Sequence, residues 1–273
     1  MRKTFEVKLE RIRRLSQSTL DFRFVKTDSD AVEFKPGQFF RFWFVDEAGE
    51  FERSYSLCNS GDDVIGSRFL DLVVSTVEGG RASKFLFSCK EGVKAQVSGP
   101  FGRLLVPDPL PKRLIMVATS VGIAPYMPML TQLSAALENN LTEVVLLFGA
   151  RTRDEFLYSE DIYSLVTRYK NFSLRMCYSR DSLADQKSHE SKGYVTPQLE
   201  KLFPDPASDH ALLCGHPQMI DDCYAVLKEA GFRARQVTRE KYVFAREPRA
   251  KQKNLLSKEH RRLIAEKMKK YQK

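Results

Sequence analysis

Apolar and polar residues alternate with a period of two through the first part of the chain. Phe5, Val7 and Leu9 are separated by polar residues, and so are Leu20, Phe22 and Phe24. Residues 39–45 and 69–77 are dense in aromatic and β-branched side chains, and Pro36-Gly37, Gly61 and Gly79-Gly80 punctuate the runs. Such alternation buries one face of each strand, and many short strands broken by turn residues predict a small antiparallel β-barrel or sandwich. One short helical run, 82–89, interrupts it. Pro107, Pro109 and Pro111 then mark a boundary.

Beyond the prolines the rhythm changes to short apolar runs separated by longer helical periods. Candidate strands fall at 113–118, 143–148, 172–178, 210–214 and 235–237, with helices starting at Ile123 and Pro217; Ile220, Tyr224 and Leu227 share one face of the second. This predicts an α/β, Rossmann-like parallel sheet, with a nucleotide expected at the carboxyl ends of its strands where the strand order reverses. The organisation expected is therefore a β-barrel domain over 1–107, an α/β domain over 112–244 and a basic helical C-terminal extension over 245–273.

Length and composition agree with two ordinary folded domains: 273 residues, 42% hydrophobic and 29% charged. The net charge of +9 raises the possibility of a nucleic-acid partner, but its position argues otherwise. Residues 245–273 hold eleven Lys and Arg against three Glu, a net +8, which leaves +1 for everything before them. The basic character belongs to the tail, and no nucleic acid is expected. Cys58, Cys89, Cys177, Cys214 and Cys223 are widely separated and show no metal-ligand spacing, so no metal site is expected. No run of about 18 apolar residues predicts a transmembrane segment, and no apolar stretch follows Arg2-Lys3 as in a signal peptide. A cytoplasmic monomer is the expectation.

Four short strings carry candidate chemistry. Arg53-Ser54-Tyr55-Ser56 follows an aromatic strand and offers a guanidinium for a pyrophosphate, a flat ring for stacking and a small hydroxyl donor. Taken alone, it fits equally an exposed strand with polar residues. Gly79-Gly80-Arg81-Ala82-Ser83 places two glycines before a helix start, where free backbone N–H groups attract an anion; a plain turn capped by Ser83 is the alternative. Thr119-Ser120-Val121-Gly122 lies between the first parallel strand and its helix, where a dinucleotide turn belongs. Cys214-Gly215-His216-Pro217 occupies the corresponding turn after the fourth strand, and Cys214 there could equally be a buried structural cysteine.

In this order and spacing, the strings resemble those of the ferredoxin-NADP reductases and their cytochrome b5 reductase and oxygenase-reductase relatives, over roughly residues 5–244. The resemblance implies an FAD-binding barrel followed by an NAD(P)-binding domain. It places Arg53, Ser54, Tyr55 and Ser56 around the flavin, Gly80, Arg81, Ala82 and Ser83 at the pyrophosphate, and Thr119, Gly122, Cys214 and Gly215 around the nicotinamide nucleotide. Glu240-Lys241-Tyr242 looks like the family's closing acid and aromatic, giving Ser56, Cys214, Glu240 and Tyr242 as the expected catalytic set. Ser120-Val121 departs from the family's usual Gly-Thr, which bears on the turn geometry and one flavin contact. Ser179-Arg180, with Arg151 after the second strand, resembles the 2'-phosphate site of NADP-specific members, though Asp181 adds an acid beside it.

The implied function is an FAD-dependent oxidoreductase moving hydride between NADPH and FAD and single electrons to or from a ferredoxin or flavodoxin. An NADH-dependent reductase of a haem protein or oxygenase is the alternative within the enzymes; a non-catalytic binding protein retaining the fold is the alternative outside them. The tail carries a helical stripe of Leu256, His260, Leu263, Ile264 and Met268, suited to docking on the body or to meeting an acidic redox partner.

Overall fold

The structure, a computed structural model, describes residues 4–64, 66–181 and 185–242; the expected basic extension lies outside them. The first half contains β1 (Thr4–Ser16), β2 (Thr19–Lys26), β3 (Phe39–Asp46), β4 (Gly49–Ser56), β5 (Phe69–Ser75), α1 (Arg81–Ser88) and β6 (Lys94–Phe101). Its strands form one antiparallel sheet in the order β4-β3-β6-β1-β2-β5. The two outer strands meet through an antiparallel bridge between Leu57 and Leu72 and a bond from Cys58 N to Asp71 O of 2.9 Å, which curls the sheet into a barrel. Period two explains the filling: Phe40, Phe42 and Phe44 point inward and are buried, while Phe39, Arg41 and Trp43 between them face partly outward.

The second half contains β7 (Arg113–Thr119), α2 (Tyr126–Glu138), β8 (Glu143–Ala150), α3 (Ser159–Arg168), β9 (Phe172–Tyr178), β10 (Glu190–Lys192), α4 (Val195–Glu200), β11 (Asp209–Gly215), α5 (Pro217–Glu229) and β12 (Val237–Lys241). The sheet is parallel throughout, in the order β10-β9-β8-β7-β11-β12. Both faces are covered. Leu114, Met116 and Ala118 of β7 enter one apolar cluster, and Ile115 and Val117 enter the other, which is why such strands read as continuous apolar runs. The order reverses between β7 and β11, and the crevice of an open α/β sheet opens there. The first cluster also takes in Cys58, Val73 and Leu104 from the barrel side, so the two halves share a packed seam.

Several expected boundaries move. The last strand is not 235–237: Ala234–Gln236 form a 3-10 turn, held by Gln236 Nε2 donating to Pro206 O, and pairing with β11 runs from Val237 to Lys241. Nor does a helix start at Ile123. Ser120–Ile123 make a 3-10 turn, and α2 begins at Tyr126 after Pro125. α3, α4 and β10 were not anticipated. α4 has six residues and β10 three, too few to leave a period, and α3 buries Ile162 alone among its residues.

Candidate functional site

Four of the singled-out side chains converge where the end of β4 meets the carboxyl edge of the parallel sheet. Ser56 Oγ donates to Glu240 Oε1 at 2.8 Å and accepts from the Tyr242 hydroxyl at 2.7 Å. Glu240 sits opposite Cys214 in the β11–β12 register, and Tyr242 N donates to Gly215 O at 2.8 Å. Residues more than 180 positions apart in sequence are thus joined by two short bonds.

Burial sets the chemistry of this group. Ser56 is 6% exposed and Cys214 fully buried. Loss of water pushes the Glu240 carboxyl above its ordinary range, with the Ser56 bond opposing the shift. It also pushes the Cys214 thiol and the Tyr242 phenol well up, Glu240 adding to the shift of Cys214 and Cys214 to that of Tyr242. Cys214 is therefore a neutral, packed thiol, and in Glu240 burial favours the protonated carboxyl more than it would in water.

The floor of the crevice is made by absence of side chains. A Cβ on Gly122 would lie 2.4 Å from Cys214 O, and one on Gly215, whose φ is +127°, would lie 2.5 Å from Thr119 Oγ1. Thr119 Oγ1 instead accepts from His216 N at 3.0 Å, closing the two turns on each other. From below, the buried Tyr126 hydroxyl lies 3.0 Å from Val117 O and 2.7 Å from Leu212 O, bridging β7 and β11. Ser120 takes the left-handed conformation, φ 51°, so the glycine-like turn survives without the glycine. Val121, in the usual threonine position, is 9% exposed and packs in the cluster that holds Cys58 and Cys214.

At the barrel, Tyr55 is half-buried and edge-on to Phe42, and burial raises its phenol's proton affinity; Ser54 beside it is exposed. Arg53 Nη1 donates to Glu52 O at 2.6 Å, which leaves most of its fork of donors for an anion. Gly80, Arg81 and Ser83 line an open cleft with Asp46, Lys84 and Phe85. Here two expectations change. Arg81 spends its guanidinium on Asp46, Nε to Oδ2 at 2.8 Å and Nη2 to Oδ1 at 2.6 Å, and on Gly49 O, so it braces the cleft from the barrel side. Ser83 is no N-cap; that position is Gly80, and Ser83 Oγ accepts from Val77 N at 3.2 Å, tying the turn together from inside. Ala82 is buried against the barrel core.

The remaining residues gather at the far carboxyl edge of the sheet. Ser179 N donates to Ala150 O at 3.1 Å and Arg180 N to Arg151 O at 2.9 Å, which draws both arginines together. Both side chains are exposed, and neither guanidinium has an ion-pair partner among the described residues. Lys192 lies beside Tyr178 in register, and Tyr194, 75% exposed, follows it on the same edge. These two were missed in the sequence because Lys192 ends a strand of three residues and Tyr194 precedes a helix of six. An exposed aromatic two residues from an exposed lysine at the edge of the sheet is the feature that finds them.

This arrangement, a closed antiparallel barrel packed against a doubly wound parallel sheet with an acid-hydroxyl cluster at the seam, defines a two-domain nucleotide-dependent oxidoreductase. The chain matches the oxidoreductase FAD-binding domain over residues 6–105 and the oxidoreductase NAD-binding domain over residues 116–224. Ferredoxin--NADP reductase B of Sorangium cellulosum (strain So ce56) is 30% identical over 79% of this chain and 88% of its own length. NADH-cytochrome b5 reductase 1 of Eremothecium gossypii is 29% identical over 80% and 76%. The crystal structure of a ferredoxin NADP+ reductase from Neisseria gonorrhoeae with bound FAD and NADP superposes with a TM-score of 0.73 at 23% identity, covering 88% of this chain and 99% of that one. The chain belongs to the ferredoxin-NADP reductase family, as an oxidoreductase that binds FAD and NAD(P).

All five cysteines are free, and among the described residues no group of three or more His, Cys, Asp and Glu could hold a metal ion. No helix among the described residues is long and apolar enough to cross a membrane.

Proposed function

We propose that the protein carries hydride from NADPH to FAD and delivers electrons singly to a ferredoxin- or flavodoxin-like protein in a reducing cytoplasm. The observation that supports this reading most is the Ser56–Glu240–Tyr242 cluster, bonded at 2.8 and 2.7 Å across the seam between the two halves. Bound FAD supplies a ring that accepts hydride and releases electrons one at a time. The residues at hand fit it: free donors on Arg53, a half-buried ring on Tyr55, backbone N–H groups at the start of α1, and a crevice where a Cβ on Gly122 or Gly215 would collide with backbone or Thr119.

In this reading Ser56 would offer its hydroxyl to the flavin by turning its hydrogen from Glu240 Oε1, which accepts it in the structure. Tyr242 fixes the Ser56 oxygen, and Glu240 is the carboxyl that would replace a proton given up by the Ser56 hydroxyl. Cys214 and Gly215 shape the pocket for the nicotinamide, with Thr119 and Gly122 beneath. Arg151, Ser179 and Arg180, with Lys192, supply the cationic and hydroxyl partners that a 2'-phosphate requires, and the exposed ring of Tyr194 offers a stacking surface for a base.

Purified protein tests the reading directly. Its visible spectrum is recorded, and NADPH and NADH are added separately without oxygen while flavin bleaching is followed. A yellow protein bleached much faster by NADPH is the expected result. Faster bleaching by NADH would overturn the coenzyme assignment to Arg151 and Arg180, and failure to bind flavin would overturn the whole.

A further inference from the structure

Asp181 poses a problem for the coenzyme assignment, because an acid in that position is what a dinucleotide-binding sheet uses to accept the ribose hydroxyls of the unphosphorylated coenzyme. The structure shows where its charge goes. Asp181 Oδ2 accepts from Arg153 N at 2.6 Å. Arg153 is itself clamped to β10, Nε to Glu190 Oε1 at 3.1 Å and Nη2 to Glu190 Oε2 at 2.6 Å, with Nη2 also donating to Asp185 O at 2.8 Å. Glu190 is 2% exposed, and its Oε2 accepts from Lys187 N at 3.0 Å as well. The planar fork of arginine meeting a buried carboxylate in two bonds is a rigid joint, which a lysine could not reproduce.

Resting on the reading of NADPH as the coenzyme, we propose that Glu190 and Arg153 form a relay that sets coenzyme selectivity by keeping Asp181 away from the phosphate-binding arginines. The clamp fixes the turn Arg153–Glu155, and the Arg153 N–H in that turn occupies the carboxylate of Asp181. Arg151 and Arg180, each next to a residue of this relay or two positions from one, are then spared the charge of Asp181; the Glu155 carboxylate, 3.4 Å from Arg151 N, stays in both states. With the relay broken, Asp181 is released beside them, where it repels a 2'-phosphate and accepts a ribose hydroxyl. None of these three residues touches the reacting atoms; Glu190 and Arg153 are positioning residues.

The test compares kcat/KM for NADPH and NADH in the flavin-loaded protein and its variants. Arg153→Ala/Glu190→Gln removes the guanidinium without leaving a buried carboxylate unpaired, and the NADPH:NADH ratio is expected to fall by about tenfold or more, with NADH turnover retained. Adding Asp181→Asn to that pair should restore the ratio to within about threefold of the original, since the released side chain then carries no charge. Glu190→Gln alone, which keeps the guanidinium and disturbs the fold least, should give a smaller fall in the same direction. A merely structural role would lower both coenzymes together and would not be rescued at residue 181. An unchanged ratio in the double variant, or a fall that Asp181→Asn does not reverse, overturns the relay while the NADPH reading stands. A preference for NADH in the original protein overturns that reading and the relay with it.

Discussion

The two ends of the candidate site are built on opposite principles. At the seam, Ser56, Cys214, Glu240 and Tyr242 are buried or half-buried, and short hydrogen bonds join Ser56 to Glu240 and Tyr242 across the two halves of the molecule. At the far carboxyl edge of the parallel sheet, Arg151, Arg180, Lys192 and Tyr194 are exposed and are placed by backbone bonds, with their side chains turned to solvent. The difference suits the roles proposed for the two ends. Chemistry gains from groups that are already oriented in a water-poor site, where a dipole aimed at developing charge needs no reorganisation. Recognition of a mobile phosphate gains from charge that can reach out, and its energy is moderated by solvent and salt.

The largest test of that contrast is at the seam. Ser56→Ala should lower the rate of flavin reduction by NADPH by about 100-fold, the usual cost of removing a preorganised donor, while the flavin stays bound. Stopped-flow bleaching with an intact visible spectrum measures it; an unchanged rate, or loss of the flavin, counts against the role given to the hydroxyl. At the exposed end, Arg180→Ala should reduce kcat/KM for NADPH by about tenfold and leave NADH within about twofold, since one charge-assisted contact is lost. That loss should shrink as salt is added, whereas the Ser56 effect should not.

A smaller effect comes from the titration of Glu240. Because burial raises its carboxyl, the folded chain keeps this proton over a range where the unfolded chain has released it. The native state then binds more protons than the unfolded one, so stability falls as pH climbs from the ordinary carboxyl range to the raised value. Glu240→Gln removes that fall, and denaturant titrations should show the variant gaining on the original protein between acid and neutral pH. A difference that stays constant with pH would show that Glu240 is no more protonated than an ordinary carboxyl. The smallest effect is at Ser120, held at φ 51°. Ser120→Gly relieves a left-handed residue and should stabilise the fold by at most about 1 kcal/mol, less the added freedom of the unfolded chain. A loss of stability would mean that its hydroxyl contributes more than its backbone costs.

How far the site was legible varies residue by residue. Arg53, Tyr55 and Ser56 stand on an alternating strand next to turn signals, so their kind and order were open to reading in one dimension. So were Gly122 and Gly215, which lie at strand-to-helix turns. Arg81 was legible as an arginine at a helix start but not as a partner of Asp46, because a pairing between positions 46 and 81 depends on how a hairpin and a helix pack. Lys192, at the end of a strand of three residues, and Tyr194, just before a helix of six, left no pattern at all. The last strand was misplaced because Ala234–Gln236 are folded into a turn by a bond to Pro206, a residue distant in sequence.

Local pattern by itself determined the two-part architecture, the aromatic run at 39–45 as a barrel strand, the buried parallel strands and the ordered strings that mark the family, since periodicity and turn chemistry are properties of neighbours along the chain. Only the tertiary structure decided that Ser56 lies between Glu240 and Tyr242, that Asp46 takes the guanidinium of Arg81, and that Asp181 is turned onto the backbone of Arg153. Each of those depends on which of several polar partners is brought within about 3 Å when distant segments pack, and a hydrogen bond loses most of its strength beyond that distance.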